Sequence, residues 1–253
     1  MSEIVSLPRV TGLPWQGVHY FCTTRAGGVS TGEYATLNVG GRTDDDSSHV
    51  LENRRRLRAE LPSDPCWLRQ VHGNQVADAD RPWAEPPAAD AAVTTQAGRV
   101  LAILTADCLP VVIADGGGRA LGLAHAGWRG LASGVLEASL DALRARVPDA
   151  EYWRAWVGPG IGQRNFEVGD DVHAAFVQRD AGAAPFFVAK REPGKWLADL
   201  PGLARHRLHA AGVRDIELSG HCTYGEPERF YSYRRERASG RLATVAWLRG
   251  EEG

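Results

Sequence analysis

Three side chains stand out for the chemistry they could share: a thiol at Cys108 in Thr105-Ala-Asp-Cys-Leu-Pro110, an imidazole at His125 in Ala124-His-Ala-Gly-Trp-Arg-Gly130, and a second imidazole at His72 in Gln70-Val-His-Gly73. A thiolate and two imidazoles are suitable zinc ligands. Three protein ligands leave a fourth tetrahedral position for water or substrate, which makes such a site catalytic, not structural. The long spacings match no standard metal signature. The residues alone therefore leave other readings open. Cys108 could be the nucleophile and His125 the base of a metal-free hydrolase or deamidase, or Cys108 an inert core thiol and His72 a structural histidine. His72 separates the first two, because a metal needs it as a third ligand and a Cys-His dyad does not.

Meeting at one point requires particular elements. Cys108 interrupts an apolar stretch where Pro110 is expected to forbid a regular central ladder. Strand, hairpin and strand join Cys108 to His125, with Ala114-Asp-Gly-Gly-Gly-Arg119 as the turn, since glycine permits positive φ. An antiparallel pair then brings the two residues close. Apolar runs at 18–23, 91–95, 100–105, 111–114, 121–124, 152–157 and 243–248 predict strands. Helices are expected at 48–60, at 130–146 with Leu131, Val135, Leu136, Leu140 and Leu143 on one stripe, and in a segment striped by Trp196, Leu197, Leu200, Leu203 and Leu208. Antiparallel hairpins mixed with helices indicate an α+β class.

With 253 residues, 43% hydrophobic and 24% charged, the chain has the composition of an ordinary globule and is read as one domain, 1–253. A formal charge of -2 gives no bias toward nucleic acid or anionic membranes, so small molecules are the default partners. The start, MSEIVSLPRVTGLPW, lacks a secretory pattern, and the most apolar stretch is broken by Asp107, Pro110 and Asp115, so no membrane span is expected. Four scattered cysteines suit reduced thiols in a cytoplasm. A monomer is expected.

Phe21-Cys-Thr-Thr-Arg25-Ala-Gly-Gly28-Val-Ser30, Leu37-Asn38, Gln70-Val-His72, Ala106-Asp-Cys108-Leu-Pro110, His125-Ala-Gly-Trp-Arg-Gly130, Gly158-Pro-Gly160-Ile161 and Phe230-Tyr-Ser-Tyr-Arg-Arg235, in this order, resemble the YfiH-type, or laccase-domain, family of multifunctional purine nucleoside phosphorylases. The resemblance covers nearly the whole chain. It implies layered mixed β-sheets covered by helices, the fold shared with certain cysteine deamidases. It also implies a zinc site on His72, Cys108 and His125. The implied reactions are phosphorolysis of adenosine, inosine, guanosine and S-methyl-5'-thioadenosine, and deamination of adenosine to inosine. Arg25, Asn38, Gln70, Arg129 and Arg234, all within these motifs, are read as substrate-binding.

The residues fit these reactions unequally. The zinc deaminase signature, H-x-E with P-C-x-x-C, is absent, which leaves Asp107 and Glu167 as candidate proton carriers. Phosphorolysis needs an anion held near the glycosidic carbon, which suits Arg25, Arg129 or Arg234. Arg129 is expected close to the metal at the start of a helix. The laccase label suggests copper, and nitrogen and sulfur ligands can hold Cu2+ in vitro. Eight histidines with no H-x-H pair nonetheless argue against a multicopper oxidase. Editing of peptidoglycan precursors is a further reading linked to relatives. Gly158-Pro-Gly-Ile-Gly162 is not a dinucleotide fingerprint, and His206 and His209, three apart, are read as a solvated helix face.

Overall fold

The computed structural model describes residues 6–250; Met1 to Val5, part of the segment read for a leader, lie outside the described residues. The strands are β1 (Arg9–Val10), β2 (Val18–Thr23), β3 (Cys66–Trp67), β4 (Val76–Asp78), β5 (Ala91–Thr94), β6 (Leu101–Thr105), β7 (Leu109–Asp115) and β8 (Leu121–Ala126). They continue with β9 (Trp153–Val157), β10 (Glu167–Gly169), β11 (Phe187–Ala189), β12 (Lys195–Ala198), β13 (Asp215–Leu218) and β14 (Leu242–Leu248). The helices are α1 (Ser47–Arg58), α2 (Trp128–Ser133), α3 (Val135–Arg144), α4 (Asp170–Val177) and α5 (Leu200–Ala210).

Two large mixed sheets lie face to face. One has the order β1-β2-β14-β6-β3 and the other β13-β9-β7-β8-β5-β4. Between them Tyr20, Ile103, Val112, Leu123, Trp156 and Tyr231 form one buried layer. The alternate residues of the second sheet, Val111, Ile113 and Ala124, pack on Leu136, Leu140, Leu203 and Leu208 of α3 and α5. Leu57 of α1 covers the outer face of the first sheet against Phe21, Ala102 and Val245. Because both faces of β7 are covered, all seven of its residues are buried, which explains its unbroken apolar run. The class is α+β, with layered sheets covered by helices. No helix of the described residues is long and apolar enough to cross a membrane.

Three expectations need correction. Pro110 does not interrupt the ladder: it is the second residue of β7, a central strand, in register with His125. Its carbonyl accepts Gly158 N at 2.8 Å on the β9 side. A strand residue's nitrogen points to the same side as its carbonyl, and β9 ends there, so no ladder bond is lost. Trp196 and Leu197 belong to β12, and a separate helix starts after Asp199, whose carboxylate accepts Gly202 N at 2.9 Å. The helix expected over 130–146 is two helices, α2 and α3, broken at Gly134 with φ 94°.

Gly134 decides that break by backbone sterics. A Cβ there would meet nothing nearer than Glu137 Oε2 at 3.6 Å, so space does not exclude a side chain, but the left-handed φ disfavours one. Gly134→Ala should therefore destabilise by about 1–2 kcal/mol. In a continuous helix the same change would stabilise by about 1 kcal/mol. Urea unfolding of both proteins distinguishes the signs.

Candidate metal centre

His125 lies within β8, and Cys108 is the residue before β7, so the register that sets Pro110 opposite His125 brings thiol and imidazole to one end of the hairpin. His72 arrives from the loop between β3 and β4 with φ 59°. The donor atoms of the three residues all lie within 4.8 Å of one another. The rings of His72 and His125 meet edge to face at 4.8 Å between centroids. A Cβ on Gly127 would stand 2.9 Å from Cys108 Sγ and 3.2 Å from His72 Cδ2, so only glycine leaves room for this convergence.

A fourth residue organises the group. The fully buried Asp90 accepts His125 Nδ1 at 2.8 Å and His72 N at 2.9 Å on Oδ1, and Gly73 N at 2.7 Å and Val71 N at 3.1 Å on Oδ2. With Nδ1 held by Asp90, Nε2 is the nitrogen left to ligate, the arrangement common for a ligating histidine. Burial pushes the Asp90 carboxyl up, but the hydrogen bonds from His125, Gly73 and Val71 outweigh it and hold the carboxyl below its ordinary range. The same competition operates at Cys108. Burial raises the thiol, and the charge and hydrogen bond of His125, followed by His72, bring it below its ordinary value. Burial lowers His125, while Cys108 and Asp90 together push it up. The pair is thus poised as thiolate beside an imidazolium oriented by Asp90, a setting in which a thiophilic divalent cation can take the place of the Nε2 proton.

Asp107 holds Cys108 in place. Its φ is 89°, an unfavourable backbone for a non-glycine residue. The turn is pinned by Thr223 Oγ1 on Oδ1 and Arg234 N on Oδ2, both at 2.7 Å, and by Ile161 N on its carbonyl at 2.8 Å. The Gly158–Gly162 loop therefore serves this turn. With both carboxylate oxygens engaged, Asp107 is a brace, not a free proton carrier. Glu167, half-buried and paired with Lys190 and Lys195, lies on β10 of the small three-stranded sheet. Sequence reasoning missed Asp90; its signal was a single carboxylate inside the apolar run Ala88-Ala-Asp-Ala-Ala-Val93.

A cavity of about 730 Å³ opens beside the group, lined by Cys108, His125 and His72 together with Trp67, Gln70 and Tyr233. Of the five residues read as substrate-binding, only Gln70 lines it, and both ends of its amide are bound to the Leu104 backbone at 2.8 Å. Arg25 instead donates to Ala35 O and Pro227 O, at 2.8 and 2.9 Å, and lies over Tyr231. Asn38, fully buried, accepts Gly40 N and Arg241 N, both at 2.9 Å. Arg234 bonds Glu167 O at 2.7 Å over Phe166. Arg129 is exposed on the six-residue α2, stacked on Trp128, and is not among the residues that line the cavity. His206 pairs with Asp180 at 2.6 Å.

The family model described as "Multi-copper polyphenol oxidoreductase laccase" matches residues 19–249. A protein of Pseudomonas aeruginosa named purine nucleoside phosphorylase is 48% identical over 89% of this chain and 91% of its own length. One of Escherichia coli named purine nucleoside phosphorylase YfiH is 45% identical over 92% and 95%. The crystal structure of a Neisseria meningitidis protein of the DUF152 family superposes with a TM-score of 0.89 at 39% identity, covering 97% of this chain and all of that one. YlmD from Geobacillus stearothermophilus superposes at 0.84 with 31% identity over 94% of each chain. With sequence motifs, family model and superposed folds in agreement over nearly its whole length, the chain belongs to the laccase-domain family of YfiH-type proteins.

Proposed function

We propose that this chain is a zinc-dependent purine nucleoside phosphorylase. In this reading it converts adenosine, inosine, guanosine and S-methyl-5'-thioadenosine to the free base and ribose 1-phosphate or methylthioribose 1-phosphate, and slowly deaminates adenosine to inosine. The observation that carries the reading is the convergence of His72, Cys108 and His125 on a cavity of about 730 Å³, within the range of small-molecule sites. Relatives at 45–49% identity are named purine nucleoside phosphorylase. The site draws on segments from Gly40 to Arg241, which supports one catalytic unit spanning the chain. All four cysteines are free, in keeping with a reducing compartment.

His72, Cys108 and His125 would hold the metal, and zinc bound there would supply a Lewis acid. The protein's part is positional. Asp90 keeps the His125 proton on Nδ1 and the His72 backbone in its left-handed turn, and the Asp107 brace holds the thiol against both imidazoles. A metal-free Cys-His hydrolase would use Cys108, His125 and Asp90 but leaves the aim of His72 into the group without a purpose. The donor set also suits copper.

Chromatography of adenosine incubated with the protein and phosphate should show adenine and ribose 1-phosphate, and without phosphate a slow yield of inosine. Neither product from zinc-loaded protein would sink the nucleoside reading. Elemental analysis should find about one zinc per chain, lost in Cys108→Ala; equal zinc in both would remove Cys108 from the site. Asp90→Asn places an amide N–H against His125 or the backbone donors. Competition with a chelator should then show zinc affinity lowered by about 10–100-fold, with unchanged affinity separating Asp90 from the metal.

A further inference from the structure

Four arginines, Arg42, Arg54, Arg69 and Arg241, line the cavity, and no aspartate or glutamate does, among the described residues. Elsewhere guanidiniums find carboxylates, as Arg9 does with Glu60, Arg119 with Asp115, Arg146 with Asp78 and Arg207 with Glu137. None of the four cavity arginines has a carboxylate partner among the described residues. For Arg42 and Arg69, which are exposed, water suffices. Arg54 and Arg241 are half-buried, and a desolvated cation without a counter-charge is costly.

Both are also held rigid by neutral partners. Arg241 donates Nη1 to Ser239 O at 2.6 Å and Gly240 O at 3.0 Å, and its backbone N is fixed by Asn38 Oδ1 at 2.9 Å. Arg54 donates Nε to Val39 O at 2.9 Å and lies 4.7 Å over the Trp67 ring. The remaining donors of each guanidinium have no protein partner among the described residues.

We propose that Arg241 and Arg54, with the rim arginines Arg42 and Arg69, form a subsite for a phosphate dianion. The guanidinium donors suit the tetrahedral oxygens of phosphate, and the dianion supplies the missing counter-charge. That this anion is the free phosphate co-substrate rests on the phosphorolytic reading above. In that reaction a phosphate oxygen bonds to C1′ as the C1′–N9 bond breaks. The bonding pair leaves with the purine, and the proton of hydrogen phosphate ends on a base nitrogen. The subsite replaces Arg25, Arg129 and Arg234 as the anion-holding group.

The test pairs kinetics with direct binding. In Arg241→Gln the phosphate KM should rise at least about tenfold with the nucleoside KM within about twofold, since hydrogen bonds to a charged group are lost. Arg241→Lys should fall between, because a point charge replaces a fork. Arg205→Gln, on the exposed side of α5, should match the parent. In parallel, inorganic phosphate at constant ionic strength should raise the melting temperature of the parent and not of Arg241→Gln. Should Arg241→Gln not fold, Arg69→Gln, whose side chain makes no hydrogen bond among the described residues, takes its place. An unchanged phosphate KM and melting shift in folded variants would overturn the assignment. A melting shift that depends on Arg241 without any base release would leave the subsite standing and refute the phosphorylase reading. A shift with ribose 5-phosphate and none with inorganic phosphate would overturn the co-substrate assignment in favour of a phosphoryl sugar.

Discussion

The buried carboxylate of Asp90 is the interaction on which the site depends. It collects His125 Nδ1 and three consecutive backbone N–H groups, those of Val71, His72 and Gly73. Hydrogen bonds to a charged acceptor contribute about 1.5–3 kcal/mol each, and a carboxylate buried without them would be unaffordable in the free-energy sense. Through it a loop that has almost no strand structure of its own is locked to β5 and β8. The left-handed φ of His72 is tolerated because the neighbouring N–H groups all find the same acceptor.

The layered sheets supply the other half of the geometry. All of β8 pairs with Leu109 to Ala114 of β7, and that register alone fixes Cys108 near His125 to within a residue. The strained turn at Asp107 then orients the thiol. It is braced by residues from distant parts of the chain, Ile161, Thr223 and Arg234. Loops on a rigid scaffold thereby carry the chemistry while the sheets carry the precision.

Charge in the cavity is arranged in two zones. At the wall next to β7 and β8 a thiolate faces two imidazoles, one of them oriented from behind by Asp90, a donor set for a cation. Around the opening stand arginines without carboxylates, a setting for an anion. Half-buried Arg54 and Arg241 are tethered by carbonyl oxygens, which orient a guanidinium without neutralising it. Such placement of both signs in one cavity suits a reaction that joins an anion to a neutral nucleoside.

Local physics made much of this legible in the sequence. The apolar runs of β2, β6, β7, β8, β9 and β14, the glycine turn after Ala114 and the α+β class follow from residue type and spacing, whereas the triplet His72, Cys108 and His125 was singled out as a ligand set by the family resemblance of its motifs. The rest waited on tertiary structure. Gly134 lies in a helix-compatible apolar stripe, and only the packing of α2 and α3 on the sheet selects its left-handed φ. Pro110 stands in a central strand because its bare nitrogen falls where β9 ends, a fact of sheet order and not of local propensity. Arg25, Asn38 and Arg234 resemble ligand-binding residues in their motifs, yet they brace backbone; Arg241 and Arg54, outside those motifs, face the cavity. A polar side chain's role depends on what meets it across the fold. Asp90 and its four donors are brought together by the β5–β8 ladder, so the sequence determined which groups could do chemistry and the tertiary structure decided which of them share one buried charge.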